Sequence, residues 1–312
     1  MRAFILVVLL MVAIVATMVV QSQTVICQPS DELWLKGITG AKVNAKDWSG
    51  RTLLIDAAKE GNACRVQGLL FKGADVTIID EKKHTNALAE AASAGHLDVV
   101  KVLVLKGNTK LVLKLYDKNG YGALAWAAIR GNLEMAEFML THGSKESIDH
   151  PCVHGHSPLM LAADYNQGAM VEYLVSMGAK VNLYTHGGAS ALLHASGKGY
   201  TNIVRTLVEN GAKVNVHTRK KKHTAVLVAA QGGYTDTVSL LLEYKADVHY
   251  ADGDHKNSLT YACEGNHQAT AEVLCQHGGN LQLYLDQYPR ARNVCTAQTF
   301  IDANLKHYSD EM

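Results

Sequence analysis

Aromatic residues make up only 6% of this 312-residue chain and proline occurs four times, a composition that suits helices. The six cysteines, at 27, 64, 152, 263, 275 and 295, include no Cys-x-x-Cys pair and are too sparse for a fold built on disulfides. There is no Gly-x-Ser-x-Gly, no His-Glu-x-x-His and no glycine-rich phosphate loop, so no catalytic residue and no cofactor is expected. None of the sixteen asparagines has Ser or Thr two residues later, where chance gives roughly two such glycosylation acceptors. That absence leans towards a bacterial periplasm. The net charge is only +1, with 48% hydrophobic and 19% charged residues, which excludes a disordered chain and argues against nucleic acid as a partner.

What the chain does have is a period. Gly61, Gly95, Gly131, Asn166, Gly199, Gly233 and Asn266 are separated by 34, 36, 35, 33, 34 and 33 residues. Each follows a helical stretch with a pair of small residues: Ala57-Ala58, Ala91-Ala92, Ala127-Ala128, Ala162-Ala163, Ala195-Ser196, Ala229-Ala230 and Ala262-Cys263. Small side chains let neighbouring helices approach closely. The anchor itself needs a left-handed backbone, which Gly tolerates best and Asn next best, so the two asparagines belong to the same series. A second amphipathic stretch follows each anchor, for example Leu97–Lys106 and Thr201–Asn210, with apolar residues at helical spacing. It ends at Gly73, Gly107, Gly143, Gly178, Gly211 and Gly278, with Lys245 as the exception, and segments such as GAKVN come next.

These motifs resemble the ankyrin repeat, best in GHLDVVKVLVLKG from Gly95 and GAKVNAKDWSGRTLL from Gly40. The resemblance covers about residues 31–281 and implies an all-α solenoid of seven helix-turn-helix units with β-turn fingers, spanning 47–281. Residues 31–46 read as an amino-terminal half-repeat cap and 282–312, with a helix at 296–307, as the other cap. The family's Thr-Pro-Leu-His survives only as Ser157-Pro158-Leu159, and no repeat keeps the His in register. Because that Thr and His normally order the turn, their loss implies looser fingers.

Residues 1–22 are a different object. Arg2 precedes an apolar run from Ala3 to Ala16 that continues past Thr17 to Val20, the charged start and apolar centre of an export signal. Phe4–Val20 also sits at the lower limit for spanning a bilayer, so cleavage and anchoring both stay open. Either sends the repeats across the membrane, and only an uncleaved segment would touch it.

Three clusters invite chemistry. Cys263 and Cys275 fall on apolar positions of the repeat and read as buried thiols, although Cys295 could bridge to one of them in an oxidising compartment. His150, Cys152, His154 and His156 alternate along a finger and could suit zinc, but lack the usual paired spacing. Once export segment, repeats and caps are allotted, no room remains for a catalytic domain.

The third cluster, Arg219-Lys220-Lys221-Lys222-His223, falls on the sixth finger. In ankyrin-like proteins the partner-binding face is made of finger tips and the exposed ends of the first helices. Here it gathers Arg51, Lys59, Lys82, Lys83, Lys118, Arg130, Lys198, Lys220, Lys221 and Lys256 against Glu60, Asp164, Asp254 and Glu264, a surplus of six positive charges. Adding Glu81 and Asp117 reduces the surplus to four and keeps the sign. Trp48, Tyr121 and Tyr165 share the face as candidate anchors. The expectation is a monomeric, non-enzymatic scaffold that binds an acidic protein partner. The competing expectation is a periplasmic metal- or redox-responsive factor on the same array.

Overall fold

The computed structural model describes residues 27–107, 115–143 and 148–278, which contain fifteen α-helices and no strand beyond an isolated bridge between Lys46 and Thr52. The expected export segment at 1–22 and the expected carboxy-terminal cap at 282–312 lie outside the described residues, as do 108–114 and 144–147. The chain divides into two compact units at Leu115/Tyr116.

In the first unit, α1 (Pro29–Lys36) precedes two helix pairs, α2 (Leu53–Lys59) with α3 (Ala63–Phe71) and α4 (Ala87–Ala94) with α5 (Leu97–Lys106). Within each pair the two helices pack together; α2 also packs on α4, α3 on α5, and α1 on α3. The second unit repeats this layering five times. Its pairs are α6 (Ala123–Arg130) and α7 (Leu133–His142), α8 (Pro158–Asp164) and α9 (Gly168–Ser176), α10 (Ala191–Ser196) and α11 (Thr201–Glu209), α12 (Ala225–Gln231) and α13 (Thr235–Glu243), and α14 (Ser258–Glu264) and α15 (Gln268–Gln276). Each first helix packs on the next first helix and each second helix on the next second helix. Among the described residues no helix is long and apolar enough to cross a membrane.

All seven small-residue pairs are buried, from Ala57-Ala58 to Ala262-Cys263. The second helices bury Val66 and Leu69, Val100 and Leu103, Met135 and Met139, Val171 and Leu174, Val204 and Leu207, Val238 and Leu241, and Leu274. Burial of a Leu or Val stabilises by roughly 1.5–3 kcal/mol, so these interfaces carry the fold.

Every anchor has a left-handed backbone: Gly61 at φ +77°, Gly95 at +87°, Gly131 at +67°, Asn166 at +59°, Gly199 at +70°, Gly233 at +69° and Asn266 at +56°. Four of the glycines also make room. The side chain one position past the next anchor lies where a Cβ would stand: His96 over Gly61, Gln167 over Gly131, Tyr234 over Gly199 and His267 over Gly233. Three of those side chains hydrogen-bond back one repeat, from His96 Nε2 to Lys59 O, Gln167 Nε2 to Ile129 O and His267 Nε2 to Gln231 O, each at 3.1 Å.

The asparagines of the GAKVN-type segments fasten the other end of each repeat. Asn44, Asn182 and Asn215 donate to the carbonyls of Gly73, Gly211 and Lys245, and accept from the amides of Asp75, Lys213 and Asp247. Lys245 takes φ +63°, the left-handed value of the glycines it replaces. Gly107 and Gly143 differ: they end their helices in extended conformation, at φ −77° and −92°, where the two longest repeats carry their extra residues.

The start of the first unit is fastened covalently. Cys27 is disulfide-bonded to Cys64, with Cα atoms 5.2 Å apart. Asp31, buried, accepts from Arg65 Nε at 2.8 Å and Asn62 Nδ2 at 3.1 Å, while the Arg65 guanidinium lies 4.7 Å from the Trp34 ring. Gly68 leaves the space that Leu35 fills. Sparse spacing concealed this bond, because its two cysteines are 37 residues apart and meet only when α1 stacks on α3. Cys263 is likewise disulfide-bonded, the alternative to the buried free thiol expected first. Cys275 is free and half-buried, and burial pushes its thiol up to about 11.

Candidate functional site: the fingers and the first-helix ends

The fingers are ordered, contrary to the looseness implied by the missing Thr and His. One side chain at the base of the turn takes over in six of the seven fingers. Asp47 accepts from the amides of Ser49 and Arg51; Asp80 from Lys82 and Lys83; Asp117 from Asn119 and Tyr121; Asp252 from Asp254 and Lys256. Thr185 and Thr218 use their hydroxyls for the amides of Ala189 and His223. Cys152 occupies the same position in the fourth finger and closes it through its backbone, donating to His156 O. Thr52, Asn86, Ser157, Ser190 and Asn257 then cap the first helices by accepting from the amide three residues on. The signal was in the sequence as an Asp or Thr five or six residues before every cap but Ser157, which has Cys152 there, and was missed because it is not the Thr-Pro-Leu-His motif.

In the second unit each finger is also tied to the one before it. Val153 donates its amide to Asn119 O, His186 to His154 O, Arg219 to Gly187 O and Gly253 to Lys221 O, at 2.8–3.2 Å. The tips of five consecutive repeats therefore form one hydrogen-bonded rail. Within the first unit a side-chain link, Lys46 Nζ to Glu81 at 2.9 Å, joins the two fingers.

The twelve residues expected to bind a partner separate into two groups. Arg51 is not on the surface: its side chain is 12% exposed, with Nε 2.9 Å from Asp56 and 3.8 Å from the buried Asp80. Lys198 is held by the carboxylate and carbonyl of Asp164, at 3.1 and 2.7 Å, and Lys256 by Glu264 at 2.7 Å. Tyr121 is half-buried against Trp126, and burial raises its hydroxyl above the usual phenol range. Arg51, Tyr121 and Lys256 are drawn inward, and Lys198 is paired while still exposed, because the finger turns and the first helices bring an acid or a ring within reach, which charge counting along the chain cannot show.

The others remain exposed. Trp48 is 86% exposed with the Lys82 ammonium 3.5 Å from its ring centroid. Lys83, Lys118, Arg130, Lys220 and Lys221 are exposed and form no ion pair among the described residues. Tyr165 is exposed, with Lys198 Nζ 5.7 Å from its ring. Arg219 and Lys222, not singled out individually from the sequence, are exposed beside Lys220 and Lys221.

The acids of the same surface are mostly consumed. Asp47, Asp80, Asp117 and Asp252 serve backbone amides; Asp56, Glu60, Glu81, Asp164 and Glu264 pair with Arg51, Arg65, Lys46, Lys198 and Lys256. The turn acids keep their charge but direct it at backbone amides, while Lys82, Lys83, Lys118, Arg130 and Arg219–Lys222 stay exposed outside ion pairs among the described residues.

The quartet proposed for zinc does not converge. His150 stacks on Tyr116 at 4.2 Å, Cys152 is buried at the base of its turn, His154 is exposed, and His156 leans on His194 at 5.2 Å. No group of three or more metal-ligating side chains is assembled among the described residues. His156 and His194 are both held below the usual imidazole range, chiefly by burial; Asp164, 3.3 Å from His194 Nδ1, opposes the shift. The same applies to His223, buried beside Asp252 and Tyr261.

A family model described as ankyrin repeats in three copies matches overlapping stretches at 31–112, 54–150, 88–185, 146–218 and 192–284. The chain belongs to the ankyrin-repeat family, whose members are generally protein-interaction modules. It is similar to the ankyrin repeat and KH domain-containing protein mask-1 of Caenorhabditis elegans, 30% identical over 245 residues that cover 74% of this chain and 9% of that protein. It is 33% identical to the mouse B-cell lymphoma 3 protein homolog over 45% of this chain and 31% of that protein. With the ankyrin repeat protein nuc-2 of Neurospora crassa it shares 26% identity over 73% of this chain and 21% of the relative. The matched region thus spans less than a third of each relative's own length.

Proposed function

We propose that this protein is an exported or membrane-anchored, non-enzymatic ankyrin scaffold that presents its fingers and first-helix ends to an acidic protein partner. The observation that carries the reading is the fate of the acids: turn amides and ion pairs take up nearly every carboxylate on that face, while Lys82, Lys83, Lys118, Arg130 and Arg219–Lys222 stay exposed. Such a surface steers and complements negative charge. Its fingers are fixed before binding, so association orders little backbone. Disulfides at Cys27–Cys64 and at Cys263 support an oxidising compartment, as do residues 1–22 with their export-signal pattern. Among the described residues the four candidate ligands of the metal-responsive alternative are not assembled into a group of three or more.

The test combines amino-terminal sequencing of the mature protein with affinity capture from its native compartment under rising salt. A partner of acidic character released between about 0.1 and 0.5 M salt supports the reading, because exposed charge pairs are screened in that range. A mature protein recovered from the cytoplasm with its leader intact and unanchored overturns the export part, and salt-insensitive capture overturns the electrostatic part.

A further inference from the structure

We infer that the sixth finger is the docking point, and that it takes an extended acidic peptide segment laid along the finger rail of the second unit. This rests on the acidic-partner reading and narrows it. The charge of the second unit's face is not spread evenly. At the helix ends and in the last finger, Lys198 and Lys256 are neutralised by Asp164 and Glu264. In the sixth finger Arg219, Lys220, Lys221 and Lys222 are consecutive, exposed and outside every ion pair among the described residues. The nearby acids are Asp252, whose side chain is buried, and Asp254 on the next finger.

The finger is held on both sides and at its base. Arg219 donates to Gly187 O at 2.9 Å and Lys221 O accepts from Gly253 at 3.0 Å, so the basic run is a fixed rung of the rail. Its base is closed by Thr218 N to His223 O and by His223 N to Thr218 Oγ1. His223 Nε2 lies 3.3 Å from both Asp252 Oδ2 and the Tyr261 hydroxyl, which itself donates to Asp252 at 2.6 Å. Lys222 supplies the left-handed residue, φ +59°, that the extra position in this finger requires.

A rail of hydrogen-bonded turn tips carrying four adjacent cations fits a ligand with closely spaced charges and little shape of its own. An acidic polypeptide segment has that form. Single-stranded nucleic acid is less suited, because its binding sites add open aromatic faces for the bases. His217, just before the finger, is stacked on Tyr250 with ring centroids 5.9 Å apart.

The experiment uses the full chain and three fluorescent probes of equal length: a Glu/Asp-rich peptide, its Gln/Asn counterpart and an oligonucleotide. Binding is followed by anisotropy at low and physiological salt. Lys220→Glu with Lys221→Glu should weaken the acidic peptide about tenfold or more at low salt, while Arg130→Glu, on a helix end, should change it less than about threefold. Unchanged melting of the exposed variants certifies their folding. Equal losses from both variants, or no binding of the acidic peptide, overturn the inference, as does tighter binding of the oligonucleotide. If capture of the native partner responds to Arg130→Glu and not to the finger, the docking point is wrong and the acidic-partner reading stands. If it responds to neither, that reading fails as well.

Discussion

The imidazole of His96 lies over Gly61 in the preceding repeat, its Nε2 3.1 Å from the carbonyl oxygen of Lys59. A methyl group on Gly61 would come within 2.7 Å of the ring. The anchor glycine thus meets two demands at once, a left-handed backbone and an open face for the next repeat's clamp.

Gly131 meets the same two demands, with φ +67° and the Gln167 amide where its Cβ would stand. Gly131→Val should therefore cost more than the roughly 1–3 kcal/mol of a strained backbone alone and lower the melting temperature by about 5 °C or more. Gly178 separates the two effects: its φ is +92°, but nothing lies within 4 Å of the place a Cβ would take. Gly178→Ala should cost the backbone strain only, and equal losses at both sites would show that the clamp contributes nothing.

Acidification acts through His156, His194 and His223, each held below the ordinary 6.5 chiefly by burial. Their charged neighbours are Asp164, His154, His186 and Lys198 around the first two, and Asp252, Asp254 and Lys221 around the third. A folded-state value below the unfolded one means that the unfolded chain takes up protons first. Their contribution to stability is complete well above pH 6.5 and declines as the pH falls through 6.5 towards the lowered values. The melting temperature should drop between about pH 7.5 and 5.5, and His156→Gln with His194→Gln should flatten that slope. A wild-type profile that rises on acidification would contradict the burial argument.

The Cys27–Cys64 bond closes a loop 37 residues long. Loops of that size correspond to about 3–4 kcal/mol of stabilisation when the unfolded chain is the reference. Cys64→Ala should release α1 first, since Asp31–Arg65 and Leu35–Gly68 then hold it alone. Hydrogen exchange should quicken in residues 29–36 and stay unchanged in 225–243. Faster exchange throughout both units would mean that the bond stabilises more than the end of the first unit.

Much of this was legible in the sequence, and the reasons differ by residue. The anchors could be read because a left-handed backbone favours Gly first and Asn next, and all seven anchors are one or the other, so chemistry at one position shows through at seven. The fold followed from buried pairs such as Ala91-Ala92, whose size is a local property. Partner-face residues were legible only as candidates: Lys220 stays exposed outside any ion pair among the described residues, but Arg51 and Lys198, which are paired, look the same along the chain. Their fate is decided by Asp80 and Asp164, in the neighbouring repeat, and no local pattern encodes that pairing. The turn acids Asp47, Asp80, Asp117 and Asp252 were overlooked for the opposite reason: charged residues on a loop read as solvated until their carboxylates are seen accepting amides.

Arg51 and Lys82 give that difference a measurable form. Arg51 faces Asp80, whose side chain is only 1% exposed, and Asp56; Lys82 lies over the exposed Trp48 ring. Removing one partner of a buried ion pair leaves an uncompensated charge and costs about 3–5 kcal/mol, the upper end applying when burial is complete. Arg51→Ala should accordingly lower stability by a few kcal/mol, measured by urea unfolding, with the sharpest loss of exchange protection in fingers one and two. Lys82→Ala should stay within about 0.5 kcal/mol of wild type, as surface substitutions do. Partner capture should show the reverse order: at a temperature where both are folded, Lys82→Ala weakens it and Arg51→Ala leaves it nearly intact. If Arg51→Ala abolishes capture without changing the unfolding midpoint, Arg51 belongs to the interface after all, and the finger must open to present it.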